Sequence, residues 1–321
     1  MDLNLLIPTY DKQKTGIYNY KFTVFTPVYN RADTFERVYN SLKSQTFDNF
    51  EWVIINDGST DNSHEVIESI IKLCTFPVRY IKNTENQHKM ACLLQGINLA
   101  KGEFFLPFDS DDECTSDALE VFNDVYESIP EKIKDSISSV TCLCKDQYGD
   151  LVGEKFDTDL LYSSTFDNMV LNRYKSEKWG FIKTDVLKGV SVNNLLFSKG
   201  YIPEGTIWNL LSKEGYKTLY FNKILRIYYI DTVGNISSGN IKNNALGLAI
   251  YSLANINWFF KKYFFKNPIL FLKQLYLLLL ASKYLEFKRQ NYSTNIKSSF
   301  LRLLFNLLWQ FRAIITEKPL S

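Results

Sequence analysis

The 321-residue chain reads as an α/β protein with a parallel sheet flanked by helices, followed by a helical region at its C-terminal end. Three observations predict this. Apolar, β-branched runs alternate with stretches of helical periodicity through the first 115 residues. Polar residues gather just past four of those runs, as they do at the carboxyl edge of a parallel sheet. The charge is also unevenly divided. Residues 241–321 hold 12 Lys/Arg against 2 Asp/Glu, a net of +10, whereas residues 1–240 hold 25 against 33, a net of −8. An acidic body with a basic, hydrophobic tail is not one uniform unit, and a boundary near Asn240 follows.

Residues 1–20 are polar and tyrosine-bearing with no period, and read as an extension with no assignable role. Lys21 to Pro27 is a strand halted by proline. Val28-Tyr29-Asn30-Arg31 forms its loop, and Asp33 or Thr34 caps a helix running to about Gln45. A second strand, Phe50 to Asn56, ends in Asp57-Gly58-Ser59-Thr60-Asp61. The third, Val78 to Lys82, leads through Asn86 and Lys89 into a helix to Lys101 with Ala91, Leu94, Ile97 and Leu99 on its apolar face. The fourth, Phe104 to Phe108, stops at Asp109, Asp111 and Asp112, with Glu113 behind them. Tyr29/Asn30, Asp57, Asn86/Lys89 and Asp109/Asp111 therefore outline one crevice past successive strands.

Clustered carboxylates repel one another, and a divalent cation with oxygen ligands offsets that repulsion. Mg²⁺ typically takes one or two carboxylates together with phosphate oxygens. The same residues also suit an acidic loop capping a helix over Thr115–Ser128, and the stretch alone leaves both readings open. No Gly-x-Gly-x-x-Gly follows the first strand and no Gly-x-x-x-x-Gly-Lys occurs, which disfavours the dinucleotide and P-loop modes of phosphate binding. His64 and His88 have no cysteine partners at zinc-ligand spacing. The five cysteines form no Cys-x-x-Cys pair, and no signal peptide opens the chain; reduced thiols and a cytoplasmic setting are expected.

Thr26-Pro27-Val28-Tyr29-Asn30-Arg31, then Gln45-Thr46-Phe47 running into Trp52-Val53-Ile54-Ile55-Asn56-Asp57-Gly58-Ser59-Thr60-Asp61, then Ala100-Lys101-Gly102-Glu103 into Asp109-Ser110-Asp111-Asp112, resemble the family 2 glycosyltransferases. The resemblance spans about residues 21–230, in family order and at family spacing. It implies the GT-A fold, a Rossmann-like mixed sheet flanked by helices. It further implies inverting transfer from a nucleotide-diphosphate sugar, by default a UDP-sugar, with Mn²⁺ or Mg²⁺ as cofactor. Carried over residue by residue, Pro27, Tyr29 and Asn30 line the base pocket and Asp57 bonds the base. Asn86 and Lys89 border the nucleotide. Asp109 faces the ribose and the metal, Asp111 ligates the metal, and Asp112 lies close to the donor sugar.

The second half, 116–240, is expected to carry the acceptor side, as 21–115 carries the donor. Ser136 to Cys144 reads as a strand, and Lys217 to Phe221 and Ile224 to Ile230 as closing strands. Pro203 opens a helix with Glu204 in its first turn. Inverting transfer needs a base for the acceptor hydroxyl proton. In the family that base is a carboxylate near the start of this helix, often in a Glu-Asp pair. Gly205 takes the second place here, so Glu204 is the candidate. Glu204 could instead merely complement the helix dipole, the weaker of the two readings, and Trp208 suits a sugar platform or core packing alike. The late histidine that many GT-A enzymes give the metal is missing, which leaves water or a group such as Asp231 for that position.

In the tail, Asn244–Phe265, Pro268–Arg289 and Asn295–Thr316 carry helical apolar spacing; in the last, Leu301, Leu304, Leu308, Phe311 and Ile315 form one stripe. No uninterrupted apolar stretch is long enough to span a bilayer. Basic amphipathic helices with Trp258 and Trp309 suit the inner face of the cell membrane, or packing on the body or on a second subunit. The expected partners are a nucleotide-sugar donor, a glycan or lipid-linked glycan acceptor as in bacterial surface-polysaccharide synthesis, and a membrane surface. A homo-oligomer is allowed; nucleic acid is not expected. The rivals are a nucleotidyltransferase, which usually has a Gly-rich loop where Pro27-Val28-Tyr29-Asn30 stands, and a non-catalytic scaffold of the same fold.

Overall fold

The computed structural model describes residues 2–14, 16–194, 202–230 and 241–315. A 3₁₀ turn (Leu3–Leu6) and β1 (Thr9–Tyr10) precede the first long strand, β2 (Tyr20–Val28). Then follow α1 (Phe35–Lys43), β3 (Phe50–Asp57), α2 (Ser63–Ile71), β4 (Val78–Asn83), α3 (His88–Leu99), β5 (Gly102–Pro107) and β6 (Glu113–Cys114). The next part holds α4 (Ala118–Glu127), α5 (Glu131–Lys134), β7 (Ile137–Asp146), β8 (Leu160–Ser163), α6 (Thr165–Val170) and β9 (Trp179–Lys183). It continues through α7 (Thr184–Lys188), β10 (Val190–Ser191), α8 (Gly205–Lys213) and β11 (Lys217–Tyr228). The tail is α9 (Ile241–Tyr263), α10 (Pro268–Ala281), α11 (Arg289–Ser293) and α12 (Ser299–Leu308), ending in a 3₁₀ turn over Trp309–Ile314.

The main sheet runs β4-β3-β2-β5-β9-β7-β11-β6, with β8 also on β11. Its first four strands are parallel. β9 enters antiparallel between β5 and β7, which makes the sheet mixed. Parallel strands covered on both faces read as continuous apolar runs, which is why β2, β3 and β5 stood out in the sequence. Alternate side chains serve two cores. Phe25, Val53, Ile55 and Phe105 pack with Met90 and Ile97 of α3 and Ile207 and Leu210 of α8. Phe22, Val24, Trp52, Ile54 and Phe104 pack with residues of α1, α2 and α4. All four parallel strands end on one edge, where Tyr29, Asp57, Asn83 and Asp109 lie.

Two glycines keep this edge and its sheet close-fitting. Gly58 has φ of +69°, and a Cβ there would meet the Glu85 carbonyl carbon at 2.6 Å, so the loop after β3 lies directly on the loop after β4. A Cβ on Gly102 would sit 2.3 Å from the Thr23 backbone nitrogen.

The N-terminal twenty residues are not a free extension. Leu3 and Leu6 are buried in the same cluster as Leu253 of α9 and Phe305 of α12. The Asn4 amide donates to Asn295 Oδ1 at 3.0 Å, and β1 pairs with β10. The segment escaped the sequence reading because its partners lie nearly 300 residues away and a single 3₁₀ turn has no period to detect. Leu3→Ala will cost about 2–5 kcal/mol, as for other buried leucines. An unchanged urea midpoint would show the contact to be dispensable.

Nor does the change of composition near Asn240 coincide with a break in the core. Ala245, Ile250, Leu253 and Phe271 of the tail share one cluster with Ile207 of α8 and Phe25 of β2. The apolar faces of the tail helices are first of all core faces. Three helix and strand limits also differ from expectation. The second tail helix ends at Ala281, short of Arg289, and the third gives way to a 3₁₀ turn after Leu308. The two expected closing strands are one, because Asn222 and Lys223 form an irregularity in β11 and not a turn. Asn222 Nδ2 donates to the Phe156 carbonyl, and its Oδ1 accepts from the Phe156 amide at 2.9 Å. Among the described residues no helix is long and apolar enough to cross a membrane.

Candidate functional site

The carboxyl edge of the sheet is held by side-chain to backbone bonds between neighbouring loops. Asn30, in the left-handed region at φ 52°, accepts from the Thr60 amide at 2.8 Å, and its own amide donates to Ser59 Oγ at 3.0 Å. This ties the β2 loop, with Pro27 and the exposed Tyr29, to the β3 loop. Asp57 is buried, and its carboxylate accepts from Asn83 Nδ2 at 2.9 Å and from the Gln87 amide at 3.0 Å. Asp57 thereby anchors the β4–α3 loop at the end of β3. Asn86 Oδ1 accepts from the His88 amide at 2.9 Å, which shapes the entry to α3.

The β5 loop is fixed from α1. Thr34 Oγ1 donates to the Ser110 carbonyl at 3.0 Å and Arg37 Nη1 to the Asp111 carbonyl at 2.9 Å. Arg31 Nε lies 3.3 Å from Asp111 Oδ2. From the opposite side comes Arg226 of β11, whose register sets it between Cys114 of β6 and Cys144 of β7. Its buried guanidinium donates through Nη2 to Asp109 Oδ2 at 2.8 Å and through both Nη2 and Nε to Asp112 Oδ2, the Nε bond being 2.7 Å. Glu177 Oε1 lies 3.4 Å from Arg226 Nη1. Asp112 Oδ1 accepts from the Tyr229 amide at 2.9 Å. Asp112 is buried by these bonds and forms the floor of the site.

Lys89 bridges the two halves. Its ammonium is 2.9 Å from Asp109 Oδ1 and 3.3 Å from Glu204 Oε1, at the N-terminus of α8. A cleft of about 610 Å³ opens here, lined by Lys89, Asp109, Glu177, Glu204, Trp208 and Arg226. Trp208 lines the cleft and packs half-buried on the core beneath. The structure therefore brings Lys89, Asp109, Glu204 and Trp208 together, and sets Pro27, Tyr29, Asn30, Asp57 and Asn86 along the adjoining strand ends. Asp231 lies outside the described residues.

Arg226 and Glu177 were not read from the sequence. Arg226 sits in Ile-Leu-Arg-Ile-Tyr-Tyr-Ile, where a lone guanidinium in an apolar strand demands a buried anion. That demand was the available signal. Glu177 gave none, in a polar stretch before β9.

The electrostatics separate the carboxylates. Burial would raise the Asp109 carboxyl, but the Lys89 and Arg226 charges outweigh it and hold it well below the ordinary range. Burial pushes Asp112 up to about 6 against the pull of Arg226. Burial and the Asp109 charge push Asp111 up, only partly offset by Arg31 and Arg226. In the ion-paired network five carboxylates (Asp109, Asp111, Asp112, Glu177 and Glu204) face three cations (Arg31, Lys89 and Arg226). The surplus of two negative charges suits a divalent cation. Asp109 commits both oxygens to Lys89 and Arg226, so Asp111 is the carboxylate with room for it. Among the described residues no three His, Cys, Asp or Glu side chains converge as a complete metal cage. Phosphate oxygens and water would have to supply the remaining ligands, as is usual for Mg²⁺.

Comparison with known proteins bears on the family and the fold. Residues 23–133 match the family model described as Glycosyl transferase family 2. Over 227 residues the chain is 25% identical to the GalNAc(5)-diNAcBac-PP-undecaprenol beta-1,3-glucosyltransferase of Campylobacter jejuni, covering 70% of this chain and 69% of that one. Two further curated glycosyltransferases are matched over only 30% and 61% of their own length. Among solved structures, S. aureus TarS 1-349 in complex with UDP superposes with a TM-score of 0.57 at 16% identity, over 92% of this chain and 88% of that one. The mannosyltransferase PcManGT from Pyrobaculum calidifontis, in complex with GDP-Man and Mn²⁺, gives 0.53 at 16% identity, over 96% and 88%. At such identities the likeness is one of fold.

Proposed function

The chain is a family 2 glycosyltransferase of the GT-A fold, and from that premise we propose a specific reaction for it. It moves a sugar, with inversion at the anomeric carbon, from a UDP-sugar to a hydroxyl of a glycan or lipid-linked glycan at the cytoplasmic face of the membrane. One observation carries this reading: a single ammonium, that of Lys89, touches both Asp109 on the donor edge and Glu204 across the cleft. A carboxylate base and the diphosphate-binding edge then share one cavity.

In this reading Glu204 takes the proton of the acceptor hydroxyl as its oxygen attacks the anomeric carbon. The bond from that carbon to the β-phosphate oxygen breaks, and its electron pair leaves with the nucleoside diphosphate. Lys89 and Arg226 lie on the side where that charge develops and oppose it in a partly dry site. Pro27, Tyr29 and Asn30 border the base, and Asp57 and Asn86 hold the loop beside it. Ser139, Thr165, Asn168 and Thr218 give the far wall uncharged donors and acceptors fit for sugar hydroxyls. A divalent cation, Mn²⁺ or Mg²⁺, would neutralise the phosphates when bound, and Asp111 would hold it. The UDP bound to TarS and the PP-undecaprenol in the name of the Campylobacter relative support the donor and acceptor classes.

Calorimetric titration of UDP, GDP and CDP, each with and without Mn²⁺, tests the donor assignment. UDP will bind in a metal-dependent way, and Asp111→Asn will abolish the metal dependence. Because Asp111 is pushed above the ordinary aspartate value, it protonates earlier than a free carboxyl as pH falls. Metal-assisted affinity will therefore drop on mild acidification in the wild type and stay flat in Asp111→Asn. Folded protein that binds none of the three nucleotides would end the proposal.

A further inference from the structure

The stripe that the sequence offers to a membrane is divided: Leu301 is buried in the core beside Phe305, Leu304 and Ile315 pack against it, and Leu308 and Phe311 stay exposed. A second row faces out. Phe300, Leu303, Leu307, Phe311 and Ile314 follow one another at spacings of three and four residues and are between 51% and 76% exposed. A surface helix normally carries charge on that side; this one is apolar on both. The row continues onto the α9–α10 corner. The Phe264 ring lies 5.7 Å from Phe300 and 5.5 Å from Phe265, which is 94% exposed, with Ile269 exposed just beyond.

We propose that this outward face of α12 and the α9–α10 corner docks on an anionic lipid bilayer. The charge around it selects the occupant. Lys261, Lys262, Lys266 and Lys297 stand exposed on the same segments, and Arg302 and Arg312 flank the row on α12 and the turn after it. From 241 to 315 the sequence has eleven Lys/Arg and one acidic residue, Glu286. A second copy would bring its own basic rim against this one and be repelled. Anionic headgroups attract the rim while the phenylalanines and leucines enter the interface, the division of labour of an in-plane amphipathic anchor. The proposal rests on the transferase reading only in that a surface-docked enzyme suits a lipid-linked acceptor; the docking itself needs no turnover.

The test is co-sedimentation of the full chain with vesicles of phosphatidylcholine alone or with about one third phosphatidylglycerol, a content that makes the surface anionic. Wild type will pellet with the anionic vesicles. A triple variant, Phe300→Ser with Leu303→Ser and Leu307→Ser, will lose at least about tenfold in partitioning, since it removes three interfacial apolar groups. These side chains are exposed, so the variant keeps its fold and its metal-dependent UDP binding. Charge reversal at Lys261, Lys262 and Lys266 will weaken binding to anionic vesicles. Failure of the wild type to bind, equal binding to neutral vesicles, or undiminished binding by the triple variant would overturn the proposal. So would a concentration-dependent dimer that the triple variant abolishes. Vesicle binding without any nucleotide binding would instead remove the transferase assignment and leave the docking face standing.

Discussion

Glu204→Gln will lower kcat by about 10²–10⁴-fold, the usual worth of a positioned general base, and leave metal-dependent UDP affinity unchanged. The substitution is nearly isosteric and removes only the charge and the basicity. Glu204 sits at the start of α8 with one oxygen 3.3 Å from the Lys89 ammonium, partly exposed to the cleft. Its structural services there are the ion pair with Lys89 and complementing the helix N-terminus, the latter worth about 0.3–1 kcal/mol. Single-turnover rates with saturating donor, set beside thermal melts, separate the two roles. A small drop in melting temperature with full turnover would make Glu204 a helix-end residue and send the search for the base to Glu177.

Arg226→Ala will destabilise the fold by about 3–5 kcal/mol, the range for removing one partner of a buried ion pair. The guanidinium is 4% exposed and faces Asp109, Asp112 and Glu177. Without it Asp112 remains buried as an uncompensated anion, and nothing in its surroundings replaces the lost charge. Lysine at 226 retains the charge but not the fork that engages Asp112 through two nitrogens and Asp109 through one of them, and will recover only part of the loss. The deficit also has a definite pH dependence. Beside Arg226 the Asp112 carboxyl is already raised to about 6 by burial. In the variant the offsetting pull is gone, so the folded form binds that proton more tightly still. A carboxyl with a raised folded pKa stabilises the fold when protonated and loses that contribution as pH rises through it. The deficit will be widest at neutral pH and narrow on acidification. Urea titrations at pH 5 and pH 7.5 check this, and equal deficits at both would show Asp112 to be ionised throughout.

The sheet and the donor edge were legible because their physics is local. Buried parallel strands are unbroken apolar runs, and each of β2, β3 and β5 ends where a polar residue must meet solvent or ligand. Glu204 was legible because Pro203 marks the helix start beside it. What escaped depends on contacts distant in sequence. Arg226 looks like an interruption of β11 until Asp109 and Asp112 are set opposite it. Leu3 looks like part of a loose extension until it is set in one core cluster with residues of α9 and α12. Asp57 and Asp112 also brace the site from beneath, Asp57 through Asn83 and the Gln87 amide and Asp112 through Arg226 and the Tyr229 amide, partners that no local pattern in the sequence announces. The tail misled in a different way: an apolar stripe at helical spacing cannot say which of two apolar sides meets the core.

The 117-residue gap between Asp109 and Arg226 also bears on how the chain is made and how it can be divided. At 5–20 residues per second, the acidic end of β5 leaves the ribosome on the order of ten seconds before the arginine that neutralises it. Through that interval the donor half carries an unpaired acidic cluster beside exposed strand edges, and nascent chains are open to cations and chaperones for as long. The donor half is therefore not a portable module. Grafting residues 21–115 onto another acceptor half transfers Asp109 and Asp112 without their cation, and only a recipient strand with a basic residue in register with Cys114 can complete the site.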